Sequence, residues 1–106
     1  MSRFDVYSLP GDGRAEYVID VQSNILSDLT TRVVVPLFSP EQMRKGARGL
    51  NPTFEINGRL YTMMTQFIAA VPTKQLGAFV VSLKLCSDDI TRAIDFLLVG
   101  FEYQLT

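Results

Sequence analysis

The chain contains no histidine and a single cysteine, Cys86, and these two counts exclude most ordinary catalysis. Histidine is the usual general base near neutral pH and a principal zinc ligand. Cys86 has no second thiol for an intrachain disulfide and no imidazole to activate it as a nucleophile, so its expected role is that of a buried structural thiol. The acidic candidates Asp5, Asp12, Glu16, Asp20, Glu41 and Glu55 are scattered, and no spacing on one element pairs two of them for acid/base work. Arg44, Lys45 and Arg48 could grip phosphates, but no aromatic residue stands among them, and a solvated loop is the simpler reading. The glycines form neither GxGxxG nor GxxxxGK. Ten basic against eleven acidic residues give a net charge of -1, which disfavours binding that rests on neutralising several nucleic-acid phosphates. No catalytic, cofactor or metal residue and no direct nucleic-acid contact is therefore expected, and Met43, Met63 and Met64 read as core filler.

Binding chemistry is better represented, by apolar residues where polar ones belong. Ile25 and Leu26 sit between Gln22-Ser23-Asn24 and Ser27-Asp28, in a connection that is otherwise polar. They read equally well as a plug for the end of a barrel or as an exposed contact patch. Near the C-terminus, Arg92, Asp95, Phe96 and Val99 form a line at helical spacing beside a core stripe. Arg92 and Asp95 suit a wet face, where they pair weakly. Phe96 and Val99, with Phe101 and Tyr103 beyond Gly100, do not, and the helix end reads as an interface with a second copy or a target.

Two periodicities position these groups. Strand-like alternation runs from Arg3 to about Val71, and helical spacing from about Ser87 to Val99. Arg3–Ser8 forms a first strand that stops at Pro10-Gly11-Asp12-Gly13, and Ala15–Val21 returns with Tyr17, Ile19 and Val21 on one face and Asp20 on the other. In Arg32–Phe38, Pro36 implies a strand margin or bulge. Ser39-Pro40-Glu41-Gln42 supplies a capping box for a short turn, ended by Gly46 and Gly49. Asn57-Gly58 specifies a type I′ hairpin pairing Ile56 with Arg59, Glu55 with Leu60 and Phe54 with Tyr61. A further strand-like run, Gln66–Val71, ends at Pro72, and Thr73–Leu85 fits either a short strand or an early helix. The last helix is capped by Ser87, favoured by Asp88 and Asp89 at its positive end, and stopped by Gly100. Its core stripe is Ile90, Ala93, Ile94, Leu97 and Leu98. The architecture expected is a small, strongly curved antiparallel β domain closed by one C-terminal helix.

At 106 residues the chain is sized for one domain, 1–106, that buries roughly 65% of its extended surface on folding. Apolar residues make up 47% and charged ones 20%, and no apolar run approaches the ~20 residues of a spanning helix. The first residues lack a secretory pattern, so a cytoplasmic protein is expected with no membrane contact. A mean hydropathy of +0.17 fits a chain with some apolar surface covered by another chain.

Taken together, these blocks resemble the CcdB family of plasmid-maintenance toxins. The resemblance is carried by Val18-Ile19-Asp20-Val21-Gln22-Ser23-Asn24-Ile25-Leu26, Arg32-Val33-Val34-Val35-Pro36-Leu37, Tyr61-Thr62-Met63-Met64-Thr65 with Val71-Pro72, and Asp89-Ile90 through Ala93-Ile94 to Gly100-Phe101. The blocks keep the family's order and nearly its spacing from Phe4 to Phe101. The resemblance implies an SH3-like β-barrel with a C-terminal helix, a fold shared with Kid-like toxins, and a homodimer whose C-terminal segments lie near the two-fold axis. It also implies a non-enzymatic toxin of a type II toxin-antitoxin pair, which binds the DNA gyrase A subunit, traps the cleaved complex and is neutralised by a CcdA-like antitoxin. Its gyrase contacts fall on Ile25, Leu26, Asp95, Val99, Gly100 and Phe101. Asp95 stands for the family's asparagine, and Val99-Gly100-Phe101 stands for Trp-Gly-Ile, with 102–106 as a C-terminal extension. Two alternatives stand beside this: an mRNA-cleaving endoribonuclease toxin of the Kid and MazF kind, with Arg, Thr and Asp replacing histidine, and a non-toxic chromosomal relative that only binds antitoxin.

Overall fold

The computed structural model describes residues 2–11, 15–42 and 47–100. Seven strands and one helix follow in the order β1 (Asp5–Ser8), β2 (Tyr17–Asp20), β3 (Thr31–Phe38), β4 (Thr53–Ile56), β5 (Arg59–Met63), β6 (Ala69–Pro72), β7 (Phe79–Ser82) and α1 (Ser87–Val99). They form one antiparallel sheet in the order β4-β5-β3-β2-β1-β7, with β6 also paired to β3, curled into a half-barrel around α1.

The curl is anchored on β3, whose eight residues serve two neighbours on one side: Thr31–Val34 pair with β6, and Leu37 and Phe38 with β5. Pro36 lies inside this strand, in regular register opposite Val18 of β2, and not at the margin or bulge that its chemistry alone implies. Proline is tolerated because the N–H and C=O of a strand residue point to the same side. The Pro36 carbonyl accepts from the Met64 N–H at 3.0 Å, so its missing donor faces the break between β5 and β6 and no ladder bond is lost. The hairpin has the register expected, and Asn57 and Gly58 adopt φ of 54° and 80°.

Strand β1 is shorter than its alternation predicts because Phe4 takes φ 77°, which breaks the extended path before Asp5. The Thr73–Leu85 ambiguity resolves into β7 flanked by 3-10 turns at Thr73–Gln75 and Lys84–Cys86. That second turn also corrects the helix start. The chain is already coiling when it reaches Ser87, which takes helical angles, so Cys86 occupies the cap position and makes no side-chain cap bond. Cys86 itself is half-buried against the core rather than enclosed.

The inner face of the sheet and α1 close on Val6, Ile19, Val35, Leu37, Met63, Ile90 and Ala93, all fully enclosed. At 3.6 residues per turn the buried arc of α1 leans toward Phe96, which sits half-buried over Gly49. Leu98 falls off the opposite shoulder and is 69% exposed, so it leaves the core stripe in which its spacing places it.

The outer face carries a second, smaller cluster of Tyr7, Val18 and Val34. Burial raises the Tyr7 phenol above its ordinary value of 10.0, and the Asp5 carboxylate, which accepts its O–H at 3.3 Å, raises it further. A phenol that is harder to ionise in the folded chain adds stability that is fully present below pH 10 and lost as pH rises through the folded value. Alkaline denaturation followed by circular dichroism is therefore expected to begin at higher pH in Tyr7→Phe than in the wild type.

Candidate protein-binding site

Four of the five candidate acidic residues that lie within the described residues, Asp5, Glu16, Asp20 and Glu41, have a side-chain partner. Glu16 accepts from the Tyr61 hydroxyl at 3.0 Å, Glu41 pairs with Arg59 at the surface, Asp5 receives Tyr7, and Glu55 is exposed. Asp20, the residue expected opposite the core face, is completely buried on the outer face of the sheet. There its Oδ2 accepts from Arg32 Nε at 2.9 Å and Nη2 at 2.5 Å, and its Oδ1 accepts from the Gln22 N–H at 3.0 Å. Arg32 is only 1% exposed, and its Nη1 has no hydrogen-bond partner among the described residues. The sequence carried a signal for this pair in two charged residues on facing β-type segments, but strand alternation alone does not say that both faces are covered.

The apolar candidates lie at two places. Ile25 and Leu26 form a 3-10 turn, Asn24–Leu26, between β2 and β3, started by the Ser23 hydroxyl accepting from the Ile25 N–H at 3.3 Å. Neither residue plugs the sheet: Ile25 is 90% exposed and Leu26 47%. Ile25 also lines a cleft of about 560 Å³ with Ser2–Asp5, Ser82 and Lys84.

Asp95 and Val99 lie in the last two turns of α1, which Gly100 caps, and the helix backbone runs close to the 3-10 turns at 65–67 and 84–86. Asp95 is half-buried, and Val99 is 41% exposed beside the more exposed Leu98. Leu98 is the member of this apolar end that sequence reasoning assigned to the core. Gly100 ends the helix at φ 64° and ψ -117°, with its N–H donating to the carbonyls of Asp95 and Phe96. That conformation is essentially glycine-only. A Cβ added to Gly100 meets nothing within 4 Å, so Gly100→Ala carries only backbone strain, about 1–3 kcal/mol, readable in a urea melt. Phe101, the 102–106 extension, Asp12, Met43, Arg44, Lys45 and Gly46 lie outside the described residues, while Arg48 is exposed.

This arrangement offers exposed aliphatic side chains at the end of α1 and on the 24–26 turn, which is contact chemistry. No helix among the described residues is long and apolar enough to cross a membrane.

Comparison with known proteins agrees with this architecture. A solved structure described as an endoribonuclease in complex with its cognate antitoxin, from a mycobacterial species, superposes with a TM-score of 0.77 at 16% identity. The alignment covers 92% of this chain and 94% of that one, and at that identity the likeness is one of fold. The family model described as CcdB protein matches residues 3–100. A match over nearly the whole sequence, on a curled antiparallel sheet closed by a C-terminal helix, places the chain in the CcdB family of toxins from toxin-antitoxin systems.

Proposed function

We propose that the protein is a gyrase poison: it binds the A subunit of DNA gyrase through the end of α1 and stabilises the state in which DNA is cleaved and covalently held. The observation that carries this reading is the exposed apolar helix end, Leu98 and Val99, immediately before a glycine whose backbone stops the helix. Asp95 on the same turns and Ile25 and Leu26 on the 24–26 turn supply the remaining contacts, together with Phe101. The toxin does no bond chemistry. It acts by differential affinity, because a protein that binds one state of an enzyme more tightly than the other shifts the population toward that state. The working unit is a homodimer that brings two helix ends to one target, in the cytoplasm, and a CcdA-like antitoxin neutralises it. Membership of a toxin family and a neighbour solved with its antitoxin both support an antitoxin partner.

The test is purified gyrase supercoiling plasmid DNA in the presence of the protein. Accumulation of linear DNA after detergent and protease treatment supports trapping of the cleaved complex, whereas unaffected supercoiling overturns it. Position 99 gives a second check. The resemblance sets a tryptophan there, and tryptophan anchors at interface centres are worth 2 kcal/mol or more. Val99→Trp is therefore expected to tighten gyrase A binding about tenfold or more in a surface-immobilised assay.

The endoribonuclease reading is favoured by one observation, the fold shared with an endoribonuclease toxin. Incubation with labelled mRNA separates the two: cleavage that persists in a preparation without nuclease contamination favours the RNase.

A further inference from the structure

The turn that carries Ile25 and Leu26 contributes little to the core, yet it is tied to the sheet by a chain of buried and part-buried polar bonds. Its centre is Gln22, 6% exposed, just past the end of β2. The Gln22 Oε1 accepts from the Val33 N–H of β3 at 3.0 Å, and its Nε2 donates to the Leu26 carbonyl at 2.9 Å. The amide orientation is forced, because a backbone N–H can only donate and a carbonyl can only accept. The Gln22 N–H is fixed in turn by Asp20 Oδ1, and Asp20 is held by Arg32. Arg32, Asp20, Gln22 and Leu26 thus form a continuous relay from the outer face of the sheet to the exposed turn. A second tether meets the same turn, since the Arg3 N–H donates to Asn24 Oδ1 at 2.8 Å.

We infer that Gln22 is a positioning residue, whose side-chain amide holds the Ile25–Leu26 turn against β3 in the geometry its partner recognises. The exposed side chains gain little from the fold by being held still. A partner does gain, because a contact loop ordered before binding does not have to be ordered during it. The inference rests on the reading of Ile25 and Leu26 as gyrase contacts.

The test compares wild type, Gln22→Glu and Asn24→Ala. Gln22→Glu, read at a pH where the carboxyl is ionised, keeps the acceptor for Val33 and removes the donor to Leu26. Asn24→Ala cuts the second tether at an exposed position where folding is not at risk. Amide hydrogen exchange is read at Leu26, Ser27 and Leu29, whose N–H groups bond within the turn, with Ile19 and Val35 as controls in the sheet. Exchange at the turn is expected to quicken about tenfold in Gln22→Glu with the sheet unchanged, and gyrase A affinity to fall about tenfold, with a smaller loss of both in Asn24→Ala. Unchanged exchange at the turn in both variants, or a loosened turn with wild-type affinity, overturns the inference. A wild-type chain with no affinity for gyrase A overturns the contact reading instead, while faster exchange in Gln22→Glu still supports the tether.

Discussion

Cells expressing Val99→Asp without antitoxin are expected to grow normally, whereas cells expressing the wild type are expected to arrest. The substitution puts a carboxylate on the exposed apolar helix end, where burial against an apolar target surface would strip it of water. An uncompensated charge of that kind at an interface centre costs several kcal/mol, which is a hundredfold or more in affinity. Folding is spared because Val99 is 41% exposed and lies beyond Ala93, the last fully enclosed residue of α1. Surface substitutions of this type fall within about 0.5 kcal/mol of the wild type. A thermal melt within a few degrees of the wild type together with lost toxicity is thus the expected pair of results. Persistent toxicity in a variant that melts normally removes the helix end from the site.

The largest stability effect is expected one layer in, at the buried ion pair. Asp20→Ala takes the carboxylate from an Arg32 guanidinium that is 1% exposed and whose Nη1 already lacks a partner among the described residues. Breaking a buried pair from one side costs about 3–5 kcal/mol, because the remaining charge stays buried and unpaired. That is a large part of the 5–15 kcal/mol by which a domain of this kind is stable. At about 4–8 °C per kcal/mol the melting temperature falls by about 15 °C or more. The double variant Asp20→Ala/Arg32→Met removes both charges, and the same reasoning predicts that it recovers much of the loss. Chemical unfolding of the three proteins measures the difference, and a double variant no more stable than Asp20→Ala contradicts it.

The parts of the fold legible in the sequence are those decided locally. Asn57-Gly58 needs two positive-φ positions, so the hairpin and its register follow from two residues. Gly100 stops α1 for the same kind of reason. What was not legible depends on what lies across the sheet. Pro36 reads as a margin until β3 is seen changing partners beside it, and Leu98 reads as core until Phe96 is seen over Gly49. Ser87 reads as a cap until the preceding 3-10 turn is in place. At the candidate site, periodicity singled out Val99 and composition singled out Ile25 and Leu26. Nothing local reveals that Gln22 reaches Leu26 and Val33 together, because that bridge spans two strands and a turn.

Whether the exposed helix end on this fold is a handle for gyrase can be read directly. Calorimetric titration of the full-length protein and Val99→Asp into the dimerisation domain of gyrase A asks this without reference to toxicity. Saturable binding by the wild type and no measurable heat from the variant is the result predicted. No binding by the wild type, or equal affinity in the two proteins, contradicts it.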